Sequence, residues 1–102
     1  MTELENDNLS GELMKNDKVI VQYSASWCGA CRIAKPKFKE MSTKNNDVKF
    51  IYVDIESCPE ARRLATISSI PTFVGFSNGE LIKQVTGAND KKIQEILNEL
   101  NN

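Results

Sequence analysis

Hydrophobic and polar positions along the chain alternate between patterns typical of strands and of helices. Short runs of β-branched and aromatic residues at Val19–Tyr23 and Val48–Val53 predict two buried strands. Two further runs, Thr72–Phe76 and Leu81–Val85, flank an Asn-Gly pair within Ser77–Glu80, which favours a tight hairpin turn. We therefore predict four core strands, of which the last two pair in antiparallel fashion.

Apolar residues spaced three and four positions apart predict four helices. These span Leu4–Lys15, Ala30–Thr43, about Pro59–Ala65 and Asp90–Leu100. Gly11 weakens the first helix, Pro36 should kink the second, and Asn89 or Asp90 should cap the last. The apolar positions of the second helix are Ile33, Ala34, Phe38 and Met41.

The element order α-β-α-β-α-β-β-α predicts an α/β fold. Helical crossovers make the first strands parallel, and the hairpin adds an antiparallel edge. We expect a mixed central sheet of four to five strands, flanked by helices on both faces, with the fifth strand a weak pattern in residues 1–5. At 102 residues the chain is one domain, residues 1–102.

Charge and hydropathy exclude several classes of protein. The 13 basic and 14 acidic residues give a formal net charge of −1, without the basic excess of a nucleic-acid binder. Apolar runs of about five residues are too short to span a membrane, which needs ~20. The acidic N-terminus lacks the features of a signal peptide, so we expect a cytoplasmic protein with no membrane partner.

The cysteine and histidine content narrows the possible chemistry. The chain has three cysteines and no histidine. An odd number of cysteines argues against a disulfide scaffold. The absence of histidine excludes Cys-His proteases and Cys₂His₂ zinc fingers, and three cysteines cannot complete a Cys₄ zinc site within one chain.

Cys28-Gly29-Ala30-Cys31 falls where a predicted strand leads into a helix. Free N–H groups and the helix dipole at that position favour a thiolate on Cys28. Cys31 lies almost one turn later on the same face, where it can attack a mixed disulfide on Cys28. Two buried apolar cysteines, or a metal or iron–sulfur site shared by two chains, are the alternatives. The strand-to-helix context and the lack of other ligands favour redox chemistry.

Ile70-Pro71 opens the third core strand. Proline is tolerated at the first residue of a strand, so it can simply mark the strand's beginning. The alternative is a cis peptide bond packed against the thiols, whose neighbouring backbone groups would face an extended substrate peptide.

From about Lys18 to Leu100 the chain resembles the thioredoxin family. The residues that carry the resemblance are Lys18–Val21, Ala25–Cys31, Lys35-Pro36, Val53-Asp54, Ile70–Thr72, Asn78-Gly79 and Thr86–Asn89. The resemblance implies the thioredoxin fold, dithiol–disulfide exchange on protein substrates, and a cis bond before Pro71.

The resemblance also implies roles for individual residues. Cys28 would be the exposed nucleophile and Cys31 the buried resolving thiol. Glu56 would accept a hydrogen bond from the indole of Trp27. The apolar rim that receives a substrate peptide would consist of Trp27, Ile70, Pro71, Gly87 and Ala88.

Three positions depart from the family pattern: Ala30, Gln22 and Tyr52. We assign Gly29, Ala30 and Gln22 to redox tuning. Ala30 replaces the usual proline and leaves the reduced loop more freedom, so we predict a less negative reduction potential. Gln22 replaces a common buried aspartate and cannot act as a base. It is either a satisfied buried amide or the cause of slower substrate release, with water or Lys35 handling the proton. Tyr52 stands where many members have lysine.

Cys58 precedes a predicted helix start. It is either an unreactive small side chain or a regulatory thiol favoured by the helix N-terminus. Basic residues follow the motif and recur at Arg62-Arg63, and such runs form solvated helix faces. Arg32 could still favour the thiolate or steer an acidic partner.

Together these observations predict a thiol–disulfide oxidoreductase that reduces protein disulfides. We expect a monomer with no bound cofactor or metal and no nucleic-acid partner. A thioredoxin reductase that draws on NADPH, or another dithiol donor, would recycle it. The alternatives are a more oxidising oxidase or isomerase, and a binding module whose thiols are incidental.

Overall fold

A mixed five-stranded β-sheet forms the centre of the computed structural model, which describes residues 1–102. The strands span Thr2–Glu3 (β1), Lys18–Ser24 (β2), Lys49–Asp54 (β3), Thr72–Ser77 (β4) and Glu80–Thr86 (β5). Their spatial order is β1-β3-β2-β4-β5. In the sheet β1 and β2 run parallel to β3, whereas β4 runs antiparallel to β2 and β5. The predicted mixed sheet is confirmed, with the weak N-terminal pattern supplying its fifth strand.

Four helices cover the two faces of the sheet. They are Leu9–Lys15 (α1), Gly29–Lys44 (α2), Pro59–Arg62 (α3) and Asp90–Leu100 (α4). Alternate side chains of β2 enter different cores, because successive residues of a strand point to opposite faces. Val21 packs with Leu9 and Ala61 on the side of α1 and α3, while Ile20 packs with Phe38 on the side of α2 and α4.

The buried phenol of Tyr23 links β2 to α3. Its hydroxyl donates a hydrogen bond to the carbonyl of Ala61 across 2.8 Å. Burial raises the pKa of Tyr23 above its usual value, so the phenol stays a neutral donor.

The hairpin and the last helix begin as their residues predict. Asn78 and Gly79 have φ values of 50° and 85°, as a type I′ turn requires. Asn89 caps α4, and its side chain accepts a hydrogen bond from the N–H of Lys92. Both features follow from local turn and capping chemistry.

Three sequence predictions need correction. The first helix begins at Leu9 rather than Leu4, because residues 2–3 pair with β3 and the N–H of Leu4 bonds the carbonyl of Tyr52. The third helix ends at Arg62, and beyond Arg63 the chain continues to Ala65 through i to i+3 bonds. Ile33 is not a core residue, since it is 68% exposed.

Two further observations bear on the helices. The second helix runs through Pro36 over its whole span, Gly29–Lys44. None of the helices has both the length and the apolar character needed to cross a membrane.

Candidate active site

Cys28 and Cys31 form a disulfide at the N-terminus of α2. The turn after β2 is closed by a hydrogen bond from the N–H of Cys28 to the carbonyl of Ala25, and Cys28 is the N-cap residue of α2. The two Cα atoms lie 5.2 Å apart. The two cysteines therefore occupy the strand-to-helix junction that their spacing predicts.

The two cysteines differ in accessibility. Cys31 is fully buried, whereas Cys28 is 7% exposed. Sequence analysis predicted an exposed Cys28, and this needs correction: in the disulfide form the surrounding chain covers most of the residue. The N–H of Cys31 donates a hydrogen bond to Sγ of Cys28 across 3.1 Å. An incoming thiol or disulfide can thus reach Cys28 and cannot reach Cys31.

Part of the predicted substrate rim lies beside this disulfide. The Ile70–Pro71 peptide bond is cis, as the family resemblance implies. Sγ of Cys28 lies 3.9 Å from the carbonyl oxygen of Ile70. The N–H of Gly87 donates to the carbonyl of Pro71 across 2.8 Å, and Ala88 follows on the exposed surface. The backbone of Ile70 therefore lies beside the sulfur of Cys28, and Gly87 is joined to the same loop through Pro71.

Trp27 lies 65% exposed beside a cleft of about 410 Å³. Glu56 lines the same cleft, yet no hydrogen bond joins it to the indole, so that expectation is wrong. Because the indole is largely exposed, solvent can satisfy its N–H without a protein acceptor. The cleft is lined by Trp27, Ile55, Glu56, Arg62, Ile67, Ser68, Ser69 and Ile70.

Arg62 belongs to this cleft, although sequence reasoning assigned it to a solvated helix face. Its guanidinium donates to the carbonyl of Ile67 across 3.2 Å, which holds the side chain along the loop that leads to Ile70. No sequence signal distinguishes Arg62 from its neighbour Arg63, because the loop that receives it has no regular pattern. Arg32 is exposed and lines a different cleft, together with Lys35 and Asp54.

Gln22 lies fully buried beneath the first turn of α2. Its Nε2 donates to Oγ of Ser24 across 3.0 Å and to the carbonyl of Cys31 across 3.3 Å. No protein donor lies within reach of its Oε1. The amide is thus half satisfied rather than fully satisfied. Sequence reasoning missed Ser24, although its position two residues after Gln22 places both side chains on one face of β2.

Lys35 does not contact the buried thiol region. Its Nζ lies 2.7 Å from the carboxylate of Glu3 and 4.5 Å from the centroid of the Tyr52 ring. No hydrogen bond joins it to Cys31 or Gln22. The geometry therefore gives Lys35 the task of linking α2 to β1 and β3, and it does not support a proton-transfer role.

Cys58 is fully buried at the start of α3. Its Sγ lies 3.9 Å from the carbonyl oxygen of Leu4. The carboxylate of Asp7 accepts hydrogen bonds from the N–H groups of Glu60 and Ala61, each across 2.7 Å. Those N–H groups are therefore not free to stabilise a thiolate on Cys58. Burial and this capping contact favour a packed side chain over a regulatory thiol.

Comparisons with known proteins agree with this geometry. The family model described as Thioredoxin matches residues 1–99. The chain is 39% identical over 82 residues to thioredoxin of Oryctolagus cuniculus, covering 80% of this chain and 78% of the relative. It is 36% identical over 93 residues to thioredoxin of Ovis aries, covering 91% of this chain and 85% of the relative.

Solved structures show the same likeness in three dimensions. The thioredoxin of Plasmodium falciparum matches with a TM-score of 0.89 and 28% identity, over 97% of this chain and 98% of that one. Oxidised mitochondrial thioredoxin 3 of Saccharomyces cerevisiae also matches with a TM-score of 0.89 and 28% identity, over 98% and 95% of the two chains. Nothing in these likenesses favours an oxidase, an isomerase or a binding module. The chain belongs to the thioredoxin family and is a thiol–disulfide oxidoreductase, a protein-disulfide reductase with the CxxC pair of that family.

Proposed function

We propose that Cys28 is the attacking thiol and Cys31 the resolving thiol in the reduction of protein disulfides. The observation that carries this assignment is the unequal accessibility of the two residues of one disulfide, since Cys28 is 7% exposed and Cys31 is 0% exposed. The helix N-terminus adds electrostatic support for a thiolate at Cys28, because the N–H of Cys31 donates to its sulfur at the positive end of the helix dipole.

The reaction takes place in two exchanges. The Cys28 thiolate attacks one sulfur of a substrate disulfide, the substrate S–S bond breaks, and the departing sulfur takes up a proton. Cys31 then loses its proton and attacks Sγ of Cys28. The mixed disulfide breaks, the second substrate sulfur leaves as a thiol, and the Cys28–Cys31 disulfide remains. The substrate gains two electrons and two protons, and the enzyme dithiol loses them.

The substrates we propose are extended segments of disulfide-containing proteins. The backbone around Ile70 and Pro71 lies beside Sγ of Cys28, where it can pair with an extended peptide. The exposed face of Trp27 and the neighbouring cleft provide apolar contact area. Gly87 and Ala88 complete the rim on the other side of Pro71.

An external dithiol donor must regenerate the thiols. The thioredoxin family needs no bound cofactor, and no three His, Cys, Asp or Glu side chains of this chain lie close enough to hold a metal ion. We propose a thioredoxin reductase that takes electrons from NADPH as this donor. A monomer in the reducing cytoplasm suits this cycle, in which the disulfide is transient.

The test couples the protein to a purified thioredoxin reductase, NADPH and a disulfide-bonded substrate protein. We expect one NADPH to be oxidised for each substrate disulfide reduced, no oxidation with Cys28→Ser, and a covalent enzyme–substrate adduct with Cys31→Ser. Reduction supported by dithiothreitol but not by NADPH and the reductase would contradict the proposed donor. The same adduct forming on Cys28→Ser would contradict the assignment of the two thiols.

A further inference from the structure

Oε1 of Gln22 is the single buried side-chain oxygen or nitrogen in the protein that no protein group partners. An unpaired buried acceptor is unfavourable and calls for an explanation. Gln22 contacts the main chain of Cys31, one of the two residues whose chemistry changes during the reaction. The side chain that carries the unpaired acceptor thus contacts one member of the redox pair through its amide nitrogen.

The orientation of the amide follows from its partners. The carbonyl oxygen of Cys31 can only accept a hydrogen bond, so the amide end that faces it must be the NH₂ group. The NH₂ group also donates to Oγ of Ser24. These two bonds use both hydrogens of the NH₂ group. Turning the amide over would place two acceptors against each other. The oxygen is therefore the end left without a partner.

Reduction of the disulfide creates a new hydrogen-bond donor on Cys31, the residue whose main chain Gln22 already contacts. In the disulfide form Sγ of Cys31 carries no hydrogen. When an external dithiol reduces the protein, the Cys28–Cys31 bond breaks and the external dithiol becomes a disulfide. Two electrons and two protons pass to the cysteines. Cys31 then carries an S–H group within the buried region that Gln22 lines.

We propose that Gln22 is a positioning residue that favours the dithiol form, because its Oε1 accepts the thiol proton of Cys31, directly or through one water. Its Nε2 holds the first turn of α2 in both forms, through the carbonyl of Cys31. Its Oε1 gains a partner in the dithiol form alone. The exchange equilibrium therefore shifts toward the dithiol, and the reduction potential becomes less negative. This inference rests on the proposed redox function of Cys28 and Cys31.

The first test is the variant Gln22→Met, which keeps the length of the side chain and removes both polar atoms. Equilibrium with dithiothreitol, quantified by thiol alkylation and mass measurement, gives the exchange constant. We expect the constant to shift about tenfold toward the disulfide, which is about 30 mV more negative. The matched control is Ser24→Ala, which leaves Oε1 and the Cys31 contact in place, and its constant should stay within about threefold.

Urea unfolding of both redox forms closes the thermodynamic cycle. Gln22→Met should lower the free energy of unfolding of the dithiol form more than that of the disulfide form. The difference between these two changes should equal the tenfold change in the exchange constant. Equal changes in the stability of both forms, with an exchange constant within twofold of wild type, would mean a purely structural Gln22 and overturn the proposal.

A spectroscopic measurement avoids any dependence on how Gln22→Met folds. In the double variant Cys28→Ser, Cys58→Ala the only thiol left is Cys31, since the chain has three cysteines. We expect its S–H stretching band at the lowered frequency of a hydrogen-bonded thiol. A band at the frequency of a free thiol would overturn the proposal. A wild-type protein with no dithiol–disulfide transition at all would instead refute the redox function itself.

Discussion

The backbone N–H of Cys31 donates a hydrogen bond to Sγ of Cys28 across 3.1 Å. The same contact caps α2 and places the sulfur of Cys28 at the positive end of the helix dipole. A negative charge on Cys28 is stabilised there, whereas Cys31 lies one turn further on and is fully buried. The different roles of the two cysteines, attacking and resolving, thus follow from their positions at the start of one helix.

The different roles of Cys28 and Cys31 predict different outcomes for the two serine variants. Cys28→Ser should lose at least 1,000-fold in disulfide reduction, about 4 kcal/mol, because no accessible sulfur remains. Cys31→Ser should react once and stop as a mixed disulfide. Mass measurement of the adduct distinguishes the two variants, with Cys58→Ala as the control that retains activity. Full turnover by Cys28→Ser would contradict the assignment.

Ala30 is the second residue of α2, a position where proline is tolerated. Ala30→Pro should stiffen the turn and move the reduction potential toward ~−270 mV, the value of a typical thioredoxin. The wild-type potential should be less negative than that. Equilibration of both proteins with dithiothreitol measures the two values. A wild-type potential at or below about −270 mV would show that Ala30 does not tune the pair.

Trp27 is exposed, so its contribution should appear in substrate binding rather than in folding. Trp27→Ala should lower kcat/KM for a protein disulfide about tenfold, or about 1.4 kcal/mol. The free energy of unfolding should change by less than about 0.5 kcal/mol. Met14→Ala is the matched control, because Met14 is also exposed, at 89%, and lies on α1 away from the disulfide. An equal loss in both variants would argue against a substrate rim at Trp27.

Cys58 should be unreactive in the folded protein. In the fully reduced protein at neutral pH, a brief exposure to iodoacetamide should modify Cys28 and leave Cys58 unmodified until urea is added. The physical reason is the complete burial of Cys58 behind Leu4 and α3. Peptide mass mapping measures both sites in one sample. Modification of Cys58 at a rate similar to that of Cys28 would favour the regulatory alternative.

Gly75 lies in β4 against the buried side chain of Ile96. A Cβ at this position would meet Cγ2 of Ile96 at 2.5 Å. Gly75→Ala should therefore destabilise the protein by about 1–3 kcal/mol in urea unfolding. Gly11→Ala is the matched control, because Gly11 is a helix position with nothing within 4 Å, and it should stabilise by about 0.5–1 kcal/mol. A neutral Gly75→Ala would mean that α4 moves away without cost.

Local sequence patterns predict most of the fold. The features that they do not predict depend on contacts between segments that are distant in the sequence. The Asn78-Gly79 turn and the Asn89 cap depend on their own residues and neighbours, so sequence predicts them. The start of α1 depends on pairing between residues 2–3 and β3, which no helical periodicity reports. Ile33 fits an apolar stripe, yet no element covers it.

The candidate site divides in the same way. The spacing of Cys28 and Cys31 identifies the redox pair, because the chemistry lies within a single turn of helix. The cleft that includes Arg62 depends on a loop of irregular conformation, and the unpaired Oε1 of Gln22 depends on how α2 packs over β2. Such features require the assembled structure.

The most direct test of the central claim is a redox titration of the Cys28–Cys31 pair against dithiothreitol. The fluorescence of Trp27, the only tryptophan, reports the transition from its position beside Cys28. The reductase function predicts one two-electron transition with a midpoint between about −290 and −230 mV. A midpoint between about −200 and −120 mV would indicate an oxidising role. The absence of any transition, with both thiols still free by alkylation, would contradict the account.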